Sequence, residues 1–134
     1  MLVAAETILP SQDFLKPGTI RFIFDCIRTG NTDQLPPTPL VRTTSDGKLV
    51  AIDGHNLIAV RHFLNQKVEV IPATSPHDGL LETTAANIER NKELAAKYDT
   101  VLDEQRRVAT EGIHSFADLI AKYPNLFIEP AASY

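Results

Sequence analysis

The stretch AIDGHNLIAV, Ala51 to Val60, sets Asp53, His55 and Asn56 around Gly54. A carboxylate, an imidazole and an amide side by side are suited to binding and polarising a phosphoryl group. The apolar run ahead of Gly54 predicts a strand. The run behind it, with Leu57, Ile58, Val60 and Leu64, predicts a short helix. A helix starts with unpaired N–H groups at the positive end of its dipole, so a strand-to-helix turn carrying glycine is a natural anion or phosphate site. In that reading Asp53 and His55 are the catalytic candidates, with His55 orienting or polarising a phosphoryl group whose developing charge the helix start stabilises. Gly54 and Asn56 are ligand-binding candidates. The local alternative is that Asp53 or Asn56 caps the helix and Gly54 merely makes the turn.

Other reactive residue types form no constellation. Cys26 falls inside a helical pattern between Asp25 and Ile27, where a free cysteine behaves as a small buried hydrophobe. His55 and His62, seven residues apart, share a helix face, but two imidazoles without further ligands make no metal site, so no metal ligand is assigned. His77 and His114 read as isolated surface residues. No Ser–His–Asp triad assembles from the spacing.

The elements that must position the turn are short. LVAAETIL reads as a first strand. FLKPGTIRFIFDCIRTG places Ile20, Ile23, Phe24 and Ile27 at helical spacing, and Gly30 ends that helix. NTDQLPPTP, with three prolines lacking amide donors, reads as irregular. PLVRTT and KLVAID are strand-like runs joined by Ser45-Asp46-Gly47, a hairpin signal. KVEVIPA alternates apolar and polar residues and predicts one further strand. The order strand, helix, strand from Lys48 to Ala73 predicts that Leu49–Ile52 and Val68–Ile71 are parallel neighbours linked by a helix from about His55 to Leu64. The expected architecture is α/β (α+β): a compact mixed sheet with a strand-helix-hairpin-helix-strand core over residues 1–75, and a helical extension over 76–134 that packs on the core or on a partner.

The chain has 134 residues, 43% hydrophobic and 22% charged, with one cysteine. That bounds a globular domain with a real core and excludes an internal disulfide. Residues 1–75 balance seven basic against seven acidic side chains. Residues 76–134 hold six against ten, so the net −4 arises in the second part. The absence of a basic run argues against a duplex-DNA binder. MLVAAETILPSQDF lacks a basic start and a long apolar run, and no stretch approaches a membrane span. The expectation is a cytoplasmic protein without a membrane partner.

The chain resembles the ParB/sulfiredoxin superfamily over about residues 2–74. The resemblance rests on PPTPLV, DGKLVAIDGHNLIAV and LNQKVEVIP, where that family often shows a proline-led strand, then a strand running into DGH and a helix, then a strand ending at proline. It implies a compact mixed α/β domain of bacterial type with a nucleotide phosphate site at the helix start near His55, and so ATP, ADP or CTP with Mg as cofactor and a phosphate-containing small molecule as ligand. The chain departs from each branch. His55 stands where sulfiredoxins carry their cysteine, so no sulfur chemistry is possible there. The segregation proteins' GERR is absent. Leu57 replaces the arginine of the serine-kinase-type DGHHR, and leucine cannot make the charge-assisted phosphate contact. Arg61, Arg42 or Lys48 would have to compensate. Kinase-like relatives draw an acidic base from the N-terminal part, where Glu6 and Asp13 lie. The alternatives left open are a nucleotide-binding protein, a non-catalytic interaction module with a degenerate pocket, and a free-amino-acid phosphotransferase.

The extension carries its own signal. ETTAANIERNKELAAKYDTVLDEQRRV is a polar, alanine-rich helix pattern in which Glu93 with Lys97 and Asp103 with Arg107 have the supporting spacing. Ile88, Ala95 and Leu102 recur every seven residues, as do Leu94, Val101 and Val108, and with Tyr98 they form one apolar stripe. It serves either the chain's own sheet or, through residues 82–108, a homodimer or helical partner. Ser115 to Asp118 opens a last helix as a capping box.

Overall fold

The computed structural model describes residues 1–76 and 85–128, with side chains of the second span described from residue 91 onward. The chain is α+β. Its strands are β1 Leu2–Ala4, β2 Ile8–Leu9, β3 Leu40–Thr43, β4 Leu49–Asp53, β5 Lys67–Glu69 and β6 Ile71–Ala73. Its α-helices are α1 Pro17–Thr29, α2 His55–Phe63, α3 Ala85–Thr110 and α4 Phe116–Ala121.

The helices begin and end where local chemistry dictates. Pro17 sits in the first turn of α1, where a missing N–H costs nothing, and Gly30 closes it in the left-handed conformation. Ser115 caps α4 by accepting a hydrogen bond from the Asp118 N–H. Residues 35–39, with their prolines, form no regular element, although Thr32–Gln34 ahead of them make one 3-10 turn.

The sheets depart from expectation in three places. LVAAETIL is two strands, because a 3-10 turn at Ala5–Thr7 separates β1 from β2. KVEVIPA is also two strands: β5 runs antiparallel to β1, and β6 runs parallel to β3. The partner changes at Val70, whose N–H donates to the Met1 carbonyl, while the Ile71 N–H donates to the Pro39 carbonyl. Consequently Leu49–Ile52 and Val68–Ile71 are not parallel neighbours. The four-stranded sheet has the order β2-β4-β3-β6, and β4 is flanked by parallel β2 and antiparallel β3. Both edges of β4 are filled, so no third strand can pair with it. The hairpin between β3 and β4 forms as expected, and Pro72 falls on the edge strand β6, where its missing donor is tolerated.

The sheet is covered on both faces. Side chains alternate along β4. Val50 and Ile52 cluster with Leu40, Ala73 and the α3 residues Leu94 and Val101. Ala51 joins the larger cluster of Ile8, Ile20, Ile23, Ile58, Val60 and Phe116 with Val108, Leu119 and Phe127. The Leu94–Val101–Val108 stripe is thus buried within its own chain. Lys97 and Arg107 do not take the partners expected from spacing. Lys97 reaches Asp53, Arg107 bonds Glu104, Glu111 and Asp13, and Asp103 takes Arg106. His77, residues 82–84 and the side chain of Ile88 lie outside the described residues. Among the described residues no helix is long and apolar enough to cross a membrane.

Candidate functional site

Gly54 is the N-cap of α2, with φ of +87°. A Cβ at that position would fall 2.7–2.8 Å from atoms of Pro39. Glycine is therefore required twice over, by the left-handed backbone and by the proline packed against it. The space that glycine leaves open in a phosphate-binding turn is here filled by the chain's own Pro39.

His55 follows, and it is buried with 3% exposure. Its Nε2 accepts the Ser11 backbone N–H at 3.0 Å, and the Ser11 hydroxyl donates to the Ala51 carbonyl at 2.5 Å. The ring lies 5.6 Å from the Phe116 ring. Because Nε2 accepts, the neutral ring carries its proton on Nδ1. Burial pushes the imidazole pKa down to about 3, with Lys97 pulling the same way and Asp53 opposing. Ser11, His55 and Asp53 lie in one neighbourhood, yet they are not wired as a hydrolytic triad. The Ser11 Oγ stands 3.4 Å from Nε2 and gives its hydrogen to a carbonyl, while Nε2 already holds a backbone donor. In this arrangement the imidazole is an acceptor that ties residue 11 to the start of α2.

Asn56 has a matching task. Its Oδ1 accepts the Lys16 N–H at 2.9 Å, tying the start of α1 to the start of α2. The loop between Ser11 and Lys16 is held from the other side as well. The Leu15 N–H donates to the Tyr123 hydroxyl at 2.9 Å, Lys122 Nζ donates to the Asp13 carbonyl, and Arg107 reaches the Asp13 carboxylate at 3.5 Å.

The remaining candidates lie elsewhere. Asp53, at the end of β4, faces Lys97 of α3 at 3.5 Å. Arg42 on β3 donates to the Tyr98 carbonyl at 2.9 Å, and its guanidinium sits 4.4 Å from the centre of the Tyr98 ring, fastening α3 to the sheet. Arg61 donates to Gln66 Oε1 at 2.7 Å and lines a cavity of about 200 Å³ with Thr32, Thr38, Pro39 and Leu57. Leu57 is itself a core residue with 6% exposure. Among the described residues, Arg61 and the leucine that replaces the expected arginine line one cavity, while Asp53, His55, Asn56 and Arg42 are each engaged in a different tie. Glu6 is exposed in the turn between β1 and β2, and Cys26 is buried. Among the described residues no three potential ligands cluster to hold a metal.

Sequence reasoning did not link Ser11 to His55, Pro39 to Gly54 or Tyr98 to Arg42, the pairings that decide what those residues do. Nothing in a local pattern links Ser11 to a histidine 44 positions away. The PPTP run was a visible signal of a rigid segment, but not of what it would cover. Comparison with family models, with curated proteins and with solved structures gives no match.

Proposed function

We propose that the protein is a non-catalytic, ParB-like interaction module whose phosphate turn is closed by its own residues. The observation that carries this reading is Pro39 against Gly54, within 3 Å of where a Cβ would stand. On the side where a Cβ would project, a ligand phosphate cannot approach that backbone without displacing the proline. The loss of the arginine at Leu57 and the use of His55 and Asn56 as structural acceptors support the same reading. The cytoplasm is the proposed location, in keeping with a single buried cysteine.

Thermal unfolding with ATP, ADP, CTP and GTP, each with Mg, tests it. A ligand bound only by the folded chain would add about 2.7 kcal/mol at a hundred times its dissociation constant. The expected outcome is no change in Tm with any of the four. A rise in Tm overturns the reading. One specific observation favours a second reading, a displaced phosphate site, because Arg61 lines a cavity with two threonines beside α2, although the Glu69 carboxylate lines it too. A nucleotide-driven rise in Tm that Arg61→Ala abolishes would establish it.

A further inference from the structure

The start of α1 and the segment after α4 line a shallow groove of about 260 Å³. Pro17, Tyr123, Pro124 and Leu126 give it an apolar floor, and Arg21, Lys122 and Asn125 supply its polar groups. Among the described residues no carboxylate lines it. Of the described acids nearest in sequence, Asp25 pairs with Arg28, the Asp118 carboxylate accepts the His114 N–H, and Asp13 faces Arg107, whereas Glu129 lies outside the described residues. In a chain of net charge −4, the described residues of this groove thus supply two cations and no anion. Arg21 makes no ion pair among the described residues. The walls are also fixed in place. The Tyr123 hydroxyl is bonded to the Leu15 N–H, and Phe127 packs edge-on against Phe24 of α1 with centroids 5.9 Å apart.

We propose that this groove docks an acidic peptide segment of a partner protein, one in which carboxylates flank an apolar residue. The carboxylates meet Arg21 and the hydrogens that Lys122 Nζ keeps beside its bond to the Asp13 carbonyl, and the apolar side chain lies on Tyr123, Pro124 and Leu126. Charge complementarity and a preformed surface are what such recognition needs. A single strand of nucleic acid fits less well, since that mode needs a cationic track and successive stacking platforms. The groove offers one aromatic ring and two cations.

This inference deepens the interaction-module reading and rests on it. The test is fluorescence anisotropy with three labelled probes: an octapeptide carrying glutamates on both sides of a leucine, the same peptide with glutamine for glutamate, and an oligo-dT strand. The expected result is saturable binding of the acidic peptide, weakened about tenfold or more by Arg21→Glu and by glutamine replacement. Circular dichroism confirms that the exposed Arg21 variant is folded. Equal binding of the neutral peptide, insensitivity to Arg21→Glu, tighter binding of oligo-dT, or no binding up to about 1 mM each overturns the proposal. Nucleotide-driven stabilisation in the thermal assay would instead strike the closed-turn reading, and peptide binding is scored separately from it.

Discussion

Gly54 and His55 are adjacent, and each is fixed by a partner distant in sequence. Replacing Gly54 with alanine would force a Cβ onto a left-handed backbone and into Pro39. Strain and overpacking together should cost roughly 2–4 kcal/mol, measured as a lowered midpoint in urea. A smaller loss would mean that Pro39 moves aside easily, and the turn would then be open to ligand. His55 carries a pH signature. Its folded pKa, about 3, lies below the ordinary value of 6.5, so between those limits the unfolded chain binds the extra proton. The stability that neutral His55 contributes is therefore complete above pH 6.5 and is lost as pH falls towards 3. The stability difference between wild type and His55→Gln should shrink by roughly 2 kcal/mol between pH 6.5 and pH 5, read from urea unfolding at both values. A constant difference would mean that the ring is accessible to protons in the folded state.

At the scale of elements, helices were legible and strand partners were not. The end of α1 at Gly30, the capping of α4 by Ser115 and the strand-to-helix handover at Gly54 are all short-range signals, and each appears where the residues placed it. The β3–β4 hairpin is equally local. KVEVIPA announces extended backbone, but its switch at Val70 from β1 to β3 depends on two separate segments that both lie far earlier in the chain. The apolar stripe of α3 was legible as a stripe, yet its spacing suits a partner helix as well as a sheet. Burial of Leu94 and Val101 against Val50 and Ile52, with Arg42 clasping Tyr98, assigns it to the sheet. Such a helix should give a melting temperature independent of protein concentration, because its apolar face is satisfied within one chain. Val101→Asp should lower that temperature at every concentration. A wild-type Tm that rises with concentration would show that a second chain shares the stripe.

For the molecule as a whole, composition predicted a core but not its layering. The larger cluster joins Ile8 near the N-terminus to Phe127 near the end of the described chain, and it runs beneath α1, α2 and α4. Phe116 and Leu119 are completely buried, so the helical second part closes the core of the first rather than standing beside it. The candidate site was legible as residue types and scattered in space for this same reason. Asp53 and Arg42 face α3, whereas His55 and Asn56 face the loop and α1. Asp53, Arg42, His55 and Asn56 each join two separate segments, whereas Arg61 bonds Gln66 just past its own helix.

The ties on the loop from Ser11 to Lys16 span 40 to 109 positions of sequence. Segments that far apart meet only once the chain is nearly assembled, since closing such long loops is slow until other contacts exist. The loop therefore lacks supports it could keep during a partial opening, although it lies near the surface. Its amides should behave as sentinels of the complete fold. In native-state hydrogen exchange, the Ser11 and Leu15 amide protons should exchange together, at the free energy of global unfolding, despite belonging to no strand or helix. Exchange of either at a markedly lower free energy would mean that the loop lifts off a core that stays folded.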